Sequence, residues 1–194
     1  MNPFEVTFDF NYMKRNSDQI LTECLVIQCQ LGDELAWQKL IRIWYPKLLR
    51  YAIRRVNDPS KAEDVVQITL EVMCKSLRKL HDPATFPTWI YRVLHNKSVD
   101  FIRQKQQQVR LDEEYKAFCN LSDGDVNQEA TKNFEVLLAG LPALAYELVH
   151  LHYLEGLSMS EISKIIGVPP GTVKSRLYYA RKHIKSNLKG DFNG

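Results

Sequence analysis

Two short amphipathic stretches on either side of a glycine constrain this chain most. After Ser160 and Glu161, the residues Ile162, Ile165 and Ile166 form an apolar stripe at helical spacing. Downstream, Val173, Leu177, Ala180, Ile184 and Leu188 repeat every three to four positions. Gly167 lies between the two stripes and permits the left-handed backbone that reverses a chain. Pro170 suits the first turn of a helix, where its missing N–H costs nothing. The spacing therefore predicts two helices joined by a tight turn. The outer sides of the second carry Lys174, Ser175, Arg176, Tyr178, Arg181 and Lys185.

A basic helix in that position is the layout that sets one helix into the major groove of duplex DNA. Residues near the N-terminal end of such a helix reach base edges, and later ones reach phosphates. Lys174, Ser175, Arg176 and Tyr178 are assigned to the first class, Arg181 and Lys185 to the second. The Thr172 hydroxyl is expected to donate to a phosphate. The charge distribution agrees. Net charge is only +3, yet from Lys164 onward seven Lys/Arg face one acid, Asp191. Residues 106–133 instead hold six acids against three bases. The competing reading is a solvated basic face on a protein-binding bundle. The isoleucine stripe, the glycine turn and the basic face together favour DNA.

Helical periodicity also fills the first half. Ser17 or Asp18 can cap a helix through about Leu31, stopped at Gly32, and Asp33 can cap the next, which runs to about Val56 with Pro46 expected to kink it. A third helix is expected from about Pro59 to Leu80 and a fourth from about Pro87 to Gln106. Phe4, Val6, Phe8 and Phe10 alternate near the start, a pattern of a short strand or a terminal arm. The expected plan is all-α: an arm at 1–16, a bundle at 17–106, a flexible linker at 107–127 and a second bundle at 128–194.

Two faces of the first bundle carry polar groups. On the third helix Asp64, Gln67 and Glu71 share one side. On the fourth, Arg92, Asn96 and Arg103 share a polar side with Lys97 beside them. Trp89 follows Phe86 and Thr88 and suits either core packing or base stacking. A basic face beside exposed aromatics fits melted or single-stranded nucleic acid.

Other classes find little support. The four cysteines, Cys24, Cys29, Cys74 and Cys119, form no C-x-x-C pair and have no histidine at zinc spacing, so no metal and no cofactor are expected. No apolar run approaches the roughly 18 residues of a membrane span, and no signal pattern opens the chain. A reducing, cytoplasmic location without membrane insertion is the expectation. No nucleophile, base and phosphate-binding arginine cluster on the first bundle, so no catalytic residues are assigned and a recombinase-like enzyme is disfavoured.

In this order the pieces resemble a bacterial RNA polymerase sigma factor of the extracytoplasmic-function group of the sigma-70 family. Four stretches carry the likeness: residues 40–52 with Tyr45 and Pro46; Ala62 to Gln67; Trp89 to Asn96 followed by Asp100 and Arg103; and Glu161 to Arg181. Ile68 and Leu70 stand where the family usually has an acid and a phenylalanine. The resemblance implies a promoter-specificity subunit that performs no chemistry. Core RNA polymerase would be gripped by Asp64, Gln67 and Glu71. The melted −10 strand of promoter DNA would be captured by His81, Phe86, Thr88, Trp89, Arg92, Asn96, Lys97 and Arg103. The C-terminal helix would read the −35 duplex. An anti-sigma factor is an expected further partner, and the two bundles are expected either to fold together when free or to be clamped by it. The alternative is a helix-turn-helix transcriptional regulator that never joins polymerase.

Overall fold

The computed structural model describes residues 3–116, 141 and 143–190, with side-chain burial for 17–105, 141 and 144–184. Every regular element among them is helical. The first bundle is α1 (Pro3–Gln30), α2 (Glu34–Val56), α3 (Pro59–Ser76) and α4 (Phe86–Lys116), with single 3-10 turns at Leu77–Lys79 and Pro83–Thr85. The second is α5 (Ala143–Val149), a π-helical turn (His150–Leu154), α6 (Met159–Ile166) and α7 (Pro170–Gly190).

The boundaries follow from local chemistry. Gly32 ends α1 at φ 95°, and Asp33 caps α2 by accepting from the Leu35 and Ala36 amides at 2.8 and 3.2 Å. Asn57 closes α2 in the left-handed region at φ 55°, which its short polar side chain tolerates. Asp58 then caps α3, with Pro59 at the first helical position. The α2 helix continues through the exposed Pro46 without a break. The Gln30 amide donates to the Leu77 and Leu80 carbonyls at 2.9 and 2.8 Å, tying the end of α1 to the turn after α3.

Two helices are longer than periodicity suggests. α1 begins at Pro3, so the alternating phenylalanines lie in a helix rather than in a strand. A helix extends readily once nucleated, and alternation over seven residues is a weak competitor. α4 runs past Gln106 to Lys116. Residues 104–116 carry no apolar stripe, but they are rich in Gln, Arg, Leu, Glu and Lys, which favour helix by themselves. The rest of the expected linker, residues 117–127, lies outside the described residues.

The two bundles share one core. Leu40, Trp44, Leu48 and Tyr51 of α2 pack with Val66 and Met73 of α3 and with Phe86, Ile90 and Leu94 of α4. Tyr146, Leu148, Leu151, Leu157 and Ile162 of the second bundle belong to the same apolar cluster. α4 lies against α6, and α2 against α5. Leu48 is fully buried in this cluster. Leu48→Ala is expected to lower stability by about 2–5 kcal/mol through lost burial plus a residual cavity. A urea unfolding curve checks it: a shift in the midpoint at unchanged slope is the expected outcome.

Candidate nucleic-acid interface

The α6–turn–α7 unit is built by four local devices. Ser158 and Glu161 form a reciprocal capping box: the Glu161 amide donates to Ser158 Oγ at 3.2 Å, and the Ser158 amide donates to Glu161 Oε2 at 2.8 Å. Gly167 reverses the chain at φ 75°. The Ser163 hydroxyl donates to the Val168 carbonyl at 2.6 Å and closes the turn. The Pro169 carbonyl accepts the first α7 amides, from Thr172 and Val173, at 2.9 and 3.1 Å. Ile162 and Ile165 then bury against Val173, Leu177 and Ala180. α6 starts at Met159 behind its Ser158 cap, and the Ser-x-x-Glu spacing from Ser158 is the readable signal for that start.

The expected −35 residues divide between two sides of α7. Lys174, Ser175, Tyr178 and Arg181 are exposed, and Lys174, Tyr178 and Arg181 follow i, i+4, i+7 spacing along one side. Arg176 is half-buried on the other side, where it lines an apolar groove of about 350 Å³ with Leu141, Leu144, Tyr179 and His183. Thr172 is half-buried, and its carbonyl accepts the Ser175 hydroxyl at 3.0 Å. The Lys185 side chain lies outside the described residues. Tyr179, 67 % exposed, was missed; its place beside Tyr178 was the available clue.

On α3, Asp64, Gln67 and Glu71 are all exposed, with Ile68 among them. Lys61 pairs with Asp64 at 3.3 Å and Lys75 with Glu71 at 4.0 Å. These are surface pairs that yield readily to a partner. Of the expected −10 residues, His81, Arg92, Asn96 and Arg103 are exposed, whereas Thr88, Trp89 and Lys97 are half-buried. Phe86 is the correction. It is wholly buried, edge-on to Trp44 at 5.1 Å and beside Trp89 at 6.0 Å, so in this arrangement it is a core residue and presents no surface to DNA.

The contact between the bundles holds groups that no periodicity marks. Glu147 of α5 accepts the Tyr51 hydroxyl, lies 2.6 Å from His95 Nδ1 and 3.7 Å from the Arg55 guanidinium. Burial pushes the Glu147 carboxyl up, but the His95 contact, Arg55 and the Tyr51 hydroxyl together hold it below the usual carboxylate range. His150 is wholly buried in the π turn, ringed by Tyr51, Tyr91 and Tyr146 at 5.8, 6.2 and 5.9 Å. Burial, reinforced by Arg50 and Lys47 against the opposing pull of Glu147, lowers its pKa to about 4. Near the rim, Lys47 pairs with Glu155 at 3.5 Å, and the Thr88 hydroxyl donates to Glu161 at 3.0 Å. Thr88, expected to meet the −10 strand, is thus occupied by α6 of the second bundle. A charge set in the apolar run from Ala143 to Leu151 was the sequence sign of Glu147. Among the described residues no group of three potential metal ligands occurs, and no helix is long and apolar enough to cross a membrane.

Comparison with known proteins agrees with this architecture. The sigma-70 region 2 family matches residues 40–108, and the sigma-70 region 4 family matches residues 131–184. The chain is 26% identical to the ECF RNA polymerase sigma factor SigW of Bacillus subtilis over 84% of its own length and 94% of that protein's. It is 31% identical to RNA polymerase sigma factor SigV of the same organism, over 72% of this chain and 82% of that one. Its fold is similar to that of the sigma factor RpoE of Bartonella quintana, solved with the anti-sigma factor NepR. The TM-score is 0.64 at 23% identity, covering 78% of this chain and 96% of that one.

The buried groups make bundle docking sensitive to pH. Docked, His150 takes up a proton only near pH 4; separated and hydrated, it does so near its ordinary 6.5. Its contribution to docking is therefore complete above pH 6.5 and declines as pH falls toward 4, at about 1.4 kcal/mol per unit. Glu147, whose pKa is depressed, loses its contribution in the same direction at still lower pH. Between pH 7 and 5 the docked form is expected to lose about 2 kcal/mol. Small-angle scattering should show the radius of gyration rising over that interval, with the rise flattened in His150→Gln. Unchanged dimensions would refute the assignment.

Proposed function

The chain belongs to the sigma-70 family of RNA polymerase sigma factors, in the extracytoplasmic-function group, and from that premise we propose how its surfaces divide the work. As a sigma factor it directs core polymerase to promoters and initiates transcription there. In our reading Asp64, Gln67 and Glu71 hold the polymerase clamp, with the exposed Ile68 adding apolar contact between them. The −10 strand is taken by His81, Thr88, Trp89, Arg92, Asn96, Lys97 and Arg103. Lys174, Ser175, Arg176 and Tyr178 read the −35 element, while Thr172, Arg181 and Lys185 hold its backbone. The observation that carries the −35 assignment is the exposed face of Lys174, Tyr178 and Arg181 on a helix seated by the Gly167 turn. The protein itself catalyses nothing and works in the cytoplasm. An anti-sigma protein is a further partner, a reading supported by the complex that the similar RpoE forms with NepR.

Promoter reading requires the bundles to part. Elements about 25 base pairs apart lie roughly 85 Å apart along the duplex, at about 3.4 Å per step. Thr88 and Glu161 are 3.0 Å apart when docked. The segment 117–140 reaches at most about 80 Å if fully extended. With the length of the bundles added, that suffices to span the promoter. Two modest DNA contacts on one tether then reinforce each other through effective concentration. A helix-turn-helix regulator that never joins polymerase leaves the region 2 match unexplained.

Transcription in vitro tests the reading. Purified protein added to core polymerase should yield defined starts on a genome-wide template pool, and none at all would refute it. Arg176→Ala is expected to weaken −35-dependent promoter use by about 1–3 kcal/mol. Unchanged promoter preference would remove Arg176 from base reading. Asp64→Ala with Gln67→Ala should reduce core binding in a pull-down while leaving circular dichroism unchanged. Full binding by that double variant would remove the clamp assignment.

A further inference from the structure

α2 meets the second bundle with a basic face. Lys47, Arg50, Tyr51, Arg54 and Arg55 fall at i, i+3, i+4, i+7 and i+8, which is one side of a helix. Tyr51 and Arg55 meet Glu147, Lys47 pairs with Glu155 at 3.5 Å, and the Arg54 guanidinium lies 4.8 Å from the Tyr146 ring centre. Arg50 is exposed at the edge of the contact, close enough to His150 to disfavour its protonation. Four cations thus stand against two named carboxylates, Glu147 and Glu155. The imbalance runs through the whole helix: its other bases are Lys39 and Arg42, and its one acid is Glu34 in the first turn. A face that only docks a bundle does best with apolar residues, because a buried ion pair returns little beyond the cost of taking its charges out of water. Docking therefore leaves the excess positive charge of α2 without a use.

We infer that, once the bundles part, Lys47, Arg50, Arg54 and Arg55 hold the phosphodiester backbone of the melted strand beside Thr88, and that Glu147 and Glu155 take the place of phosphates in the docked form. The inference deepens the −10 reading above and rests on it. Position favours it. Trp44, Lys47 and Pro87 of the first bundle line one cavity of about 270 Å³ with Glu155 and Glu161 of the second. Lys47 and Thr88 are thus two donors along one cleft, and each is met by a carboxylate of the second bundle. Spacing favours it too. From Lys47 to Arg55 the helix rises about 12 Å, and a strand carries one charge about every 3.4 Å. A backbone laid along the row offers a phosphate to each cation. Arginine forks also match phosphate oxygens in pairs, whereas an acidic protein surface would have to be built to the same spacing.

The two halves of one ion pair test this in the full-length protein, with a fluorescein-labelled single strand of mixed sequence as the probe. Glu155→Gln should raise affinity for the strand, whereas Lys47→Ala, which breaks the same pair, should lower it. If both raise it alike, the pair merely holds the bundles shut and the inference is wrong. Lys47→Ala with Arg50→Ala should also flatten the dependence of log affinity on log salt by about 1.4, at about 0.7 per phosphate contact on a single strand. Lys47→Arg with Arg50→Lys keeps both charges and should hold the wild-type slope. An unchanged slope in the alanine variant overturns the inference, as does a loss confined to a duplex probe. Loss of core polymerase in a pull-down in place of DNA would assign the face to an acidic protein and overturn it equally. The genome-wide transcription assay separates this site from the reading beneath it: defined starts with an unchanged slope sink the α2 site alone, whereas no starts sink both.

Discussion

Glu147 carries a carboxylate into the apolar cluster shared by the two bundles, and among the described residues it is met there by groups from the opposite bundle. Tyr51, Arg55 and His95 all come from α2 and α4. Removing a carboxylate from water costs several kcal/mol, and a buried pair recovers that cost with little surplus. The interaction therefore specifies docking more than it strengthens it. If the bundles docked out of register, Glu147 would be buried without partners. If they separate, it returns to water and loses nothing. An apolar residue of similar size would hold the bundles together more tightly and resist opening.

His150 sharpens the same logic. A neutral imidazole among three tyrosine rings fills space as an aromatic does, while its low pKa means that protonation works against docking. The π turn places it there, because one additional residue per turn redirects the side chain from α5 into the contact. Thr88 and Glu161 complete the arrangement at the rim. Glu161 also serves the capping box of α6, so one carboxylate stabilises the start of that helix and holds Thr88 of α4 at once. Separation of the bundles removes its second role and leaves the first intact.

The local architecture was largely legible in the sequence. Caps at Asp33 and Asp58, the Gly167 reversal, and the α3 and α4 polar faces all follow from short-range rules about backbone amides and helical periodicity. The docking of the bundles was less legible. Tyr51 and Glu147 meet across 96 residues of chain, and nothing in a periodic pattern says which buried charge finds which partner. Phe86 fails for a related reason. Its burial depends on Trp44, a residue of another helix, while its own neighbours in sequence suggest a loop. Both ends of the first bundle extend further than expected: α1 before Ser17 because alternating apolar residues also suit a strand or an arm, and α4 beyond Gln106 because a helix can continue without an apolar stripe.

The docked arrangement also sets how the protein's affinities combine. A surface that polymerase or promoter engages only after separation is available only in the open fraction, and every apparent affinity falls by that fraction. A docking preference of about 2.7 kcal/mol holds the open fraction near 1% and weakens apparent binding about 100-fold. A partner that touches both bundles in their docked form deepens the preference; one that grips only the separated surfaces reverses it. The exposed α3 face needs no separation, so a partner that contacts it can bind before the bundles open. The order of events then follows from which surfaces are free: α3 is accessible at the outset, whereas Thr88 is released only when Glu161 withdraws.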